Sequence, residues 1–156
     1  MAGEKVLEGK HYIVEIDTDT PVTEVKGLNY RPVLCEVSSN FTIGTEEIGI
    51  SSGISVGWAH SLPRQSTWDM SGEWQAIDPL TGEPDSVTMT EVAQLAAGKR
   101  RFWIRRRMAE GRTGTEVYRE GVVWIRNYAD TASAEDPFTF TAEFKGIREP
   151  VIRGEE

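Results

Sequence analysis

From Phe138 to Phe144 apolar and polar residues alternate without a break, Phe138, Phe140, Ala142 and Phe144 against Thr139, Thr141 and Glu143. That period of two marks a strand with one buried and one polar face. Residues 67–77 repeat it, with Trp68, Met70 and Trp74 on the apolar side and Asp69, Ser71, Glu73 and Gln75 on the other. Gly72 falls in the apolar set, which predicts a bulge or a close backbone approach. Tyr12–Ile16 reads as a first strand ended by the polar turn Asp17-Thr-Asp-Thr-Pro21. Tyr30–Ile43 is β-rich; Pro32 suits an edge position, and Ser38-Ser39-Asn40 predicts a break. Residues 101–108 and 116–129 read as a hairpin joined across Glu110–Gly114, followed by a polar loop over 130–137.

One segment changes period. Thr88-Met-Thr-Glu91 matches a capping box, in which the threonine hydroxyl and the glutamate carboxylate meet reciprocal backbone N–H groups. Val92, Leu95 and Ala96 follow at helical spacing, and Gly98 stands where a helix ends on glycine. The expected fold is mainly β: an antiparallel β-sandwich or rolled sheet with one flanking α-helix at about 89–97. Residues 1–156 read as a single domain with short tails at 1–8 and 149–156.

The stretch from 44 to 66 fits neither period. It is spaced by glycine and serine yet holds Ile48, Ile50, Ile54, Val56, Trp58 and Leu62. It is expected to be a long protruding loop. Loops beyond about 12–15 residues are uncommon in compact domains and usually functional. Apolar residues on such a loop need a surface to bury against. Another copy of the same chain can supply one, with Ile48, Ile50, Ile54, Trp58 and Leu62 as the contacts.

Composition narrows the function. The chain of 156 residues is 38% hydrophobic and 27% charged, the profile of a globular domain with its own core. Its longest aliphatic and aromatic run is Val122–Ile125, too short for a transmembrane helix, and the first ten residues lack the apolar core of a secretory signal. Cytoplasmic synthesis fits this. The single cysteine, Cys35, excludes an internal disulfide and is expected to be a small core residue. The net charge of −8 divides unevenly. Residues 1–78 hold 5 Lys+Arg against 12 Asp+Glu (−7), and residues 79–156 hold 12 against 13 (−1). That balance argues against general nucleic-acid binding.

Candidate chemistry is sparse. His11 and His60 lack metal-ligand spacing, and Asp17-x-Asp19 lacks the glycine and glutamate of a calcium loop, so it reads as a solvated turn. No phosphate-cradling glycine motif or nucleophile elbow occurs. The expectation is no enzyme, no metal and no cofactor. Lys99–Arg107, with Phe102 and Trp103 interleaved, superficially resembles a nucleic-acid platform. It is better read as a strand whose arginines, Arg105 and Arg107 on one face, pair with carboxylates at an interface. Of the five tryptophans, Trp68, Trp74, Trp103 and Trp124 fall in predicted strands and are expected in the core; Trp58 lies in the loop.

Taken in order, these elements resemble the major tail tube protein of long-tailed bacteriophages. The resemblance rests on Gly9-Lys-His-Tyr12 through Ile16, on Ser38-Ser39 leading into the long loop, and on Gly57-Trp58-Ala-His-Ser-Leu62-Pro63. It continues with Ser66-Thr-Trp68-Asp-Met-Ser71-Gly72-Glu73, then the helix before a hairpin and the closing strand that ends at Gly146. It covers roughly residues 8–148. It implies a structural subunit that self-assembles into hexameric rings, which stack into a hollow tube conducting the viral genome. It also implies a virion-tail location, partners in a tape measure protein and in tail terminator or tip proteins, and DNA that passes without specific binding or membrane insertion. Asp69, Ser71, Glu73, Thr139, Thr141 and Glu143 would then face the lumen, and Arg105 and Arg107 would lie at subunit contacts. The tube of a type VI or other contractile secretion system is the alternative within the same fold. A monomeric carbohydrate-binding β-sandwich using exposed tryptophans is the alternative outside it.

Overall fold

A computed structural model describes residues 12–24, 26–50, 60–76, 86–108 and 118–153. Its strands are β1 (Tyr12–Asp17), β2 (Arg31–Pro32), β3 (Glu36–Ile50), β4 (His60–Gln75), β5 (Arg101–Met108), β6 (Tyr118–Thr131), β7 (Thr139–Gly146) and β8 (Val151–Arg153). The helix α1 (Met89–Ala97) lies between β4 and β5. The strands pair in the order β2-β1-β5-β6-β7-β4-β3, with β8 added to β6, and every pairing is antiparallel.

The connection between β2 and β3 shows why this sheet cannot be flat. These strands stand at opposite ends of the order, yet only residues 33–35 separate them. Val33 N–H donates to Val14 O on β1, and Cys35 O accepts from Gln75 N–H on β4. Three residues reach only about 10 Å, so the sheet rolls until its ends nearly meet. β6 forms the bend. Tyr118–Trp124 pairs with β5, Val123–Thr131 pairs with β7, and the register shifts between Ile125 and Asn127, where a bulge increases the local twist.

The core fills the roll. Phe102 of β5 meets Phe144 of β7 edge to face at 6.0 Å, and Trp74 of β4 stacks on Phe140 at 5.5 Å. Each such side chain contributes roughly 1.5–3 kcal/mol by leaving water. Helix α1 adds Val92 and Leu95 to the same cluster. Trp68 occupies a slot that side chains would close: a Cβ on Gly146 would lie 2.1 Å from its Cε2, and one on Gly121 2.4 Å from its Cζ2. Its indole N–H donates to Arg148 O.

Several expectations need correction. The predicted loop 44–66 is mostly strand: β3 continues to Ile50 and β4 begins at His60, with Ile48 opposite Leu62. The glycines and serines hid a two-stranded ribbon, exposed on both faces over residues 43–47 and 63–67, where no single apolar face marks its period. The break in the Tyr30–Ile43 stretch falls at 33–35, not at Ser38–Asn40, and Cys35, at φ 61, turns the chain there. Cys35 is exposed, not a core residue. Phe138 and Trp124, expected inside, are each 38% exposed. Gly72 is a close approach, because a Cβ there would lie 2.8 Å from Ser38 O. The segment read as a C-terminal tail contributes β8.

The helix ends confirm one cap and revise the other. Thr88 Oγ1 accepts from Glu91 N–H as expected, but the Glu91 carboxylate pairs with Arg31 instead of returning to the cap. At the other end Gly98 is right-handed, and Lys99 takes the left-handed position at φ 53. Lys99 N–H donates to Ala96 O and Arg100 N–H to Leu95 O, the two bonds of a Schellman motif. Lys99→Gly should therefore raise stability by about 1 kcal/mol, measured by urea unfolding, since glycine adopts this conformation without the penalty an L side chain meets. Gly146→Ala should lower it by about 1–3 kcal/mol, because the new methyl group invades the Trp68 slot.

Candidate assembly site

Period-2 alternation sends the polar residues of β4 and β7 to the outside of the roll, and the register brings them together. Ser71 stands opposite Glu143, Glu73 opposite Thr141, and Asp69 opposite Lys145. Thr139 pairs with Gln75 at the end of the same face. All six residues proposed from sequence as channel-facing thus share one surface. Asn40 of β3 joins them, its Oδ1 accepting from Ser71 Oγ at 2.7 Å.

Two cations on this face were missed. Lys145 continues the parity of Thr139, Thr141 and Glu143, so the alternation could have revealed it. Arg126 could not be found that way, because the bulge resets the parity; it pairs with Glu143 at 3.4 Å. The face therefore carries carboxylates with basic neighbours among hydroxyls and amides.

This face belongs to four adjacent strands, β6-β7-β4-β3, and both ends of that group are open. β4 covers one edge of β3; among the described residues no strand covers the other. β5 stops at Trp124, so Ile125–Thr131 of β6 lacks a strand partner on that side among the described residues. Edges of this length template pairing with another chain. The two strands are antiparallel across the group, because β3, β4, β7 and β6 alternate in direction.

The ribbon extends from one end of the group. β4 pairs with β7 only from Asp69 onward, so before Trp68 its strand partner among the described residues is β3. Residues 43–47 and 63–67 are exposed, Ile43 to 49%. A two-stranded ribbon alone in water is marginally stable. Of the apolar contacts proposed from sequence, Ile48, Ile50 and Leu62 lie in the paired strands of this arm, while Ile54 and Trp58 lie outside the described residues.

Arg105 and Arg107 have an acidic partner in their own chain. Both guanidinium groups bond the buried Glu15, Arg105 at 2.9 Å and Arg107 at 2.5 Å. Arg105 also lies 4.2 Å from the centre of the Tyr30 ring, and the Tyr30 hydroxyl donates to Glu120. Burial, then the bond to Glu120, push the Tyr30 hydroxyl far above its ordinary range. The covering segment 18–30 is tied down by Asp17. This residue, expected in a solvated turn, is 0% exposed and accepts from the backbone N–H groups of Asp19, Thr20, Leu28 and Asn29 and from the Thr20 hydroxyl. Burial alone would raise its pKa; the bonds from Thr20, Asn29 and Asp19 outweigh that and lower it.

No protein-family model matches the sequence, and no curated protein sequence does. Solved structures do match. A chain in the tail of an empty gene transfer agent (GTA) particle, refined with C6 symmetry, has a TM-score of 0.72 at 11% identity over 94% of this chain and 98% of that one. The SPP1 tail tube matches with a TM-score of 0.68 at 8% identity over 96% of this chain and 80% of that one. The chain shares its backbone fold with these two chains. A chain in the six-fold symmetrised baseplate of the anti-feeding prophage (AFP) matches as well, with a TM-score of 0.66 at 12% identity over 99% of this chain and 98% of that one. At such identities the likeness lies in the backbone.

The depressed Asp17 carboxyl has a signed consequence. Its stabilisation is complete above the ordinary value of 3.8 and is lost as the pH falls below it. Asp17→Asn should cost about 2 kcal/mol at neutral pH, the worth of hydrogen bonds to a buried charge. It should also flatten the acid limb of a stability–pH curve measured by denaturant unfolding.

Proposed function

We propose that this chain is the structural subunit of a tail tube. Six copies join edge to edge into a ring, and rings stack into a hollow tube through which a viral genome passes. One observation carries the reading: a four-stranded sheet with a polar outer face, open at both edges, whose strands alternate in direction. Because the number of strands is even, the free edge of β3 meets the β6 edge of a second copy in antiparallel register, and the pattern repeats around a ring. Six copies match the C6 symmetry of the GTA tail. Twenty-four strands spaced ~4.8 Å apart and tilted ~40° close into a barrel about 48 Å across. Side chains narrow that opening and leave room for a duplex.

The polar face then lines the channel. Asp69, Ser71, Glu73, Thr139, Thr141 and Glu143 present carboxylates and hydroxyls, and Lys145 and Arg126 stand beside Asp69 and Glu143. A lumen without unopposed cations lets phosphates slide without the counterion release that would hold them. Arg105 and Arg107 brace the outer layer through Glu15, away from that channel. The role is mechanical, with no catalytic step. Partners are further copies of the chain, a tape measure protein, and the proteins that begin and end the tube. Synthesis is in the host cytoplasm and the working location is the virion tail. The AFP likeness supports a second reading, the inner tube of a contractile injection system. The two differ in what travels inside, and purified native particles that contain or lack a genome-filled head separate them.

The ring seam is testable by cross-linking. In a Cys35→Ser background, a cysteine at Thr42 is combined in turn with cysteines at residues 125–131. Oxidation should give a covalent ladder up to hexamer at alternate positions only. A ladder absent at every position, from protein that forms rings in negative-stain micrographs, would place the seam elsewhere. Protein that remains monomeric at high concentration, from a source whose tails lack it, would overturn the tube reading.

A further inference from the structure

The two ends of the polar-faced sheet differ in chemistry. Thr139 pairs with Gln75 and with Thr131, so the β6–β7 turn, residues 132–138, caps one end. Lys145 pairs with Asp69 and with Trp124, so residues 146–150 cap the other, about 20 Å away along the strands. The arm also leaves from this second end.

The turn is exposed throughout and ends on Phe138. It carries Glu135 and Asp136, Asp130 precedes it, and it holds no basic residue. The opposite end holds a groove of about 540 Å³ between the base of the arm and residues 146–150. Ile43, Trp68, Ile147 and Pro150 share its lining with Arg148, Glu149 and polar residues of the arm; Ile43 and Ile147 are partly exposed, and the Arg148 guanidinium donates to Val22 O. Nearby, Lys145 and Arg101 flank the half-exposed Trp124 across the strands. The acidic residues of this end are Asp69 and Glu149, with Glu46 and Glu47 further along the arm.

One end is thus an acidic projection tipped with an aromatic residue, and the other is a groove of mixed lining, apolar at Ile43 and Ile147, where Lys145, Arg101 and Arg148 stand among Asp69 and Glu149. We propose that the β6–β7 turn of one copy seats in this groove of a copy in the next ring. Phe138 meets Ile43 and Ile147, while Glu135 and Asp136 face Arg148 and Lys145. The inference rests on the tube reading and adds the contact that joins ring to ring. The occupant is a second copy because both halves of the complement are built into one chain, at opposite ends of the same strands. A projection and a receptor so placed form a heterologous contact that does not close, which yields an open stack along the strand direction. The arm rises from the rim of the groove and flanks the seated turn, burying surface that the single chain leaves in water.

Charge reversal tests the contact. Glu135→Lys with Asp136→Lys should leave rings intact in negative-stain micrographs and reduce the fraction sedimenting as tubes by about tenfold or more, since like charges across an interface suppress association. Arg148→Glu should do the same, and its backbone carbonyl can still accept from Trp68. Combining the three substitutions should restore tubes. If Arg148→Glu lowers the melting temperature of the unassembled protein, Lys145→Glu takes its place in the combination. Tubes from the Glu135→Lys, Asp136→Lys protein at the wild-type level, or no recovery in the combination, would overturn this contact while leaving the ring reading standing. Wild-type protein that forms no rings would instead overturn the function proposed above.

Discussion

A strand edge carries backbone N–H and C=O groups that must be met by something, and this chain meets only part of that demand by itself. Rolling brings its two sheet ends within three residues of each other, and Val33 and Cys35 close part of the gap with single bonds to Val14 and Gln75. β3 is fifteen residues long and has one strand partner among the described residues; the second half of β6 has one as well. Water can satisfy such groups in a single molecule, but long open edges also invite uncontrolled pairing. Barrel closure removes edges altogether. In the proposed ring, the inner-facing aromatic core, the polar outer face and the arm are arranged around a sheet that copies complete.

Much of this was legible in the sequence. The alternation in β7 and in the second half of β4 identified both the buried set and the polar set, because each strand has one dry and one wet face. The Thr88 cap and the 3.6-residue spacing of Val92, Leu95 and Ala96 identified the helix. The arm was not read as strands, because residues 43–47 and 63–67 are exposed on both faces and so carry no hydrophobic period; only the unusual apolar content of the stretch marked it. Trp124 and Phe138 were misplaced for a related reason. Their parity is right for a strand, but Trp124 lies on the outer face and Phe138 stands just before β7 begins. Asp17 was misread because nothing local announces that backbone N–H groups eleven and twelve residues later turn back to it.

The internal charges show how the acidic chain holds a basic strand. Arg105 and Arg107 share Glu15, while Tyr30 and Glu120 complete a network beneath the segment that Asp17 ties down. Buried ion pairs are weak evidence for stability, because the cost of drying the charges offsets much of their attraction. Because Glu15 serves both arginines, removing it would leave two half-buried guanidinium groups without their carboxylate. Arg105 and Arg107 are thereby held across β1 and β5, apart from the face formed by β4 and β7.

Direction follows from the same geometry. Strands that alternate within one chain make a sheet face without polarity, and the ring seam it supports is antiparallel. The chain as a whole is nonetheless polar along its strands, since the β6–β7 turn, the groove and the arm lie at defined ends. A ring built from such chains has two unlike faces. Stacking like faces would set acidic turns against acidic turns, whereas stacking unlike faces brings turn to groove and arm to neighbour. Only the second arrangement propagates through a single kind of contact, so in the proposed assembly an asymmetry in residues 130–150 would extend closed rings into an open tube with one sense of growth.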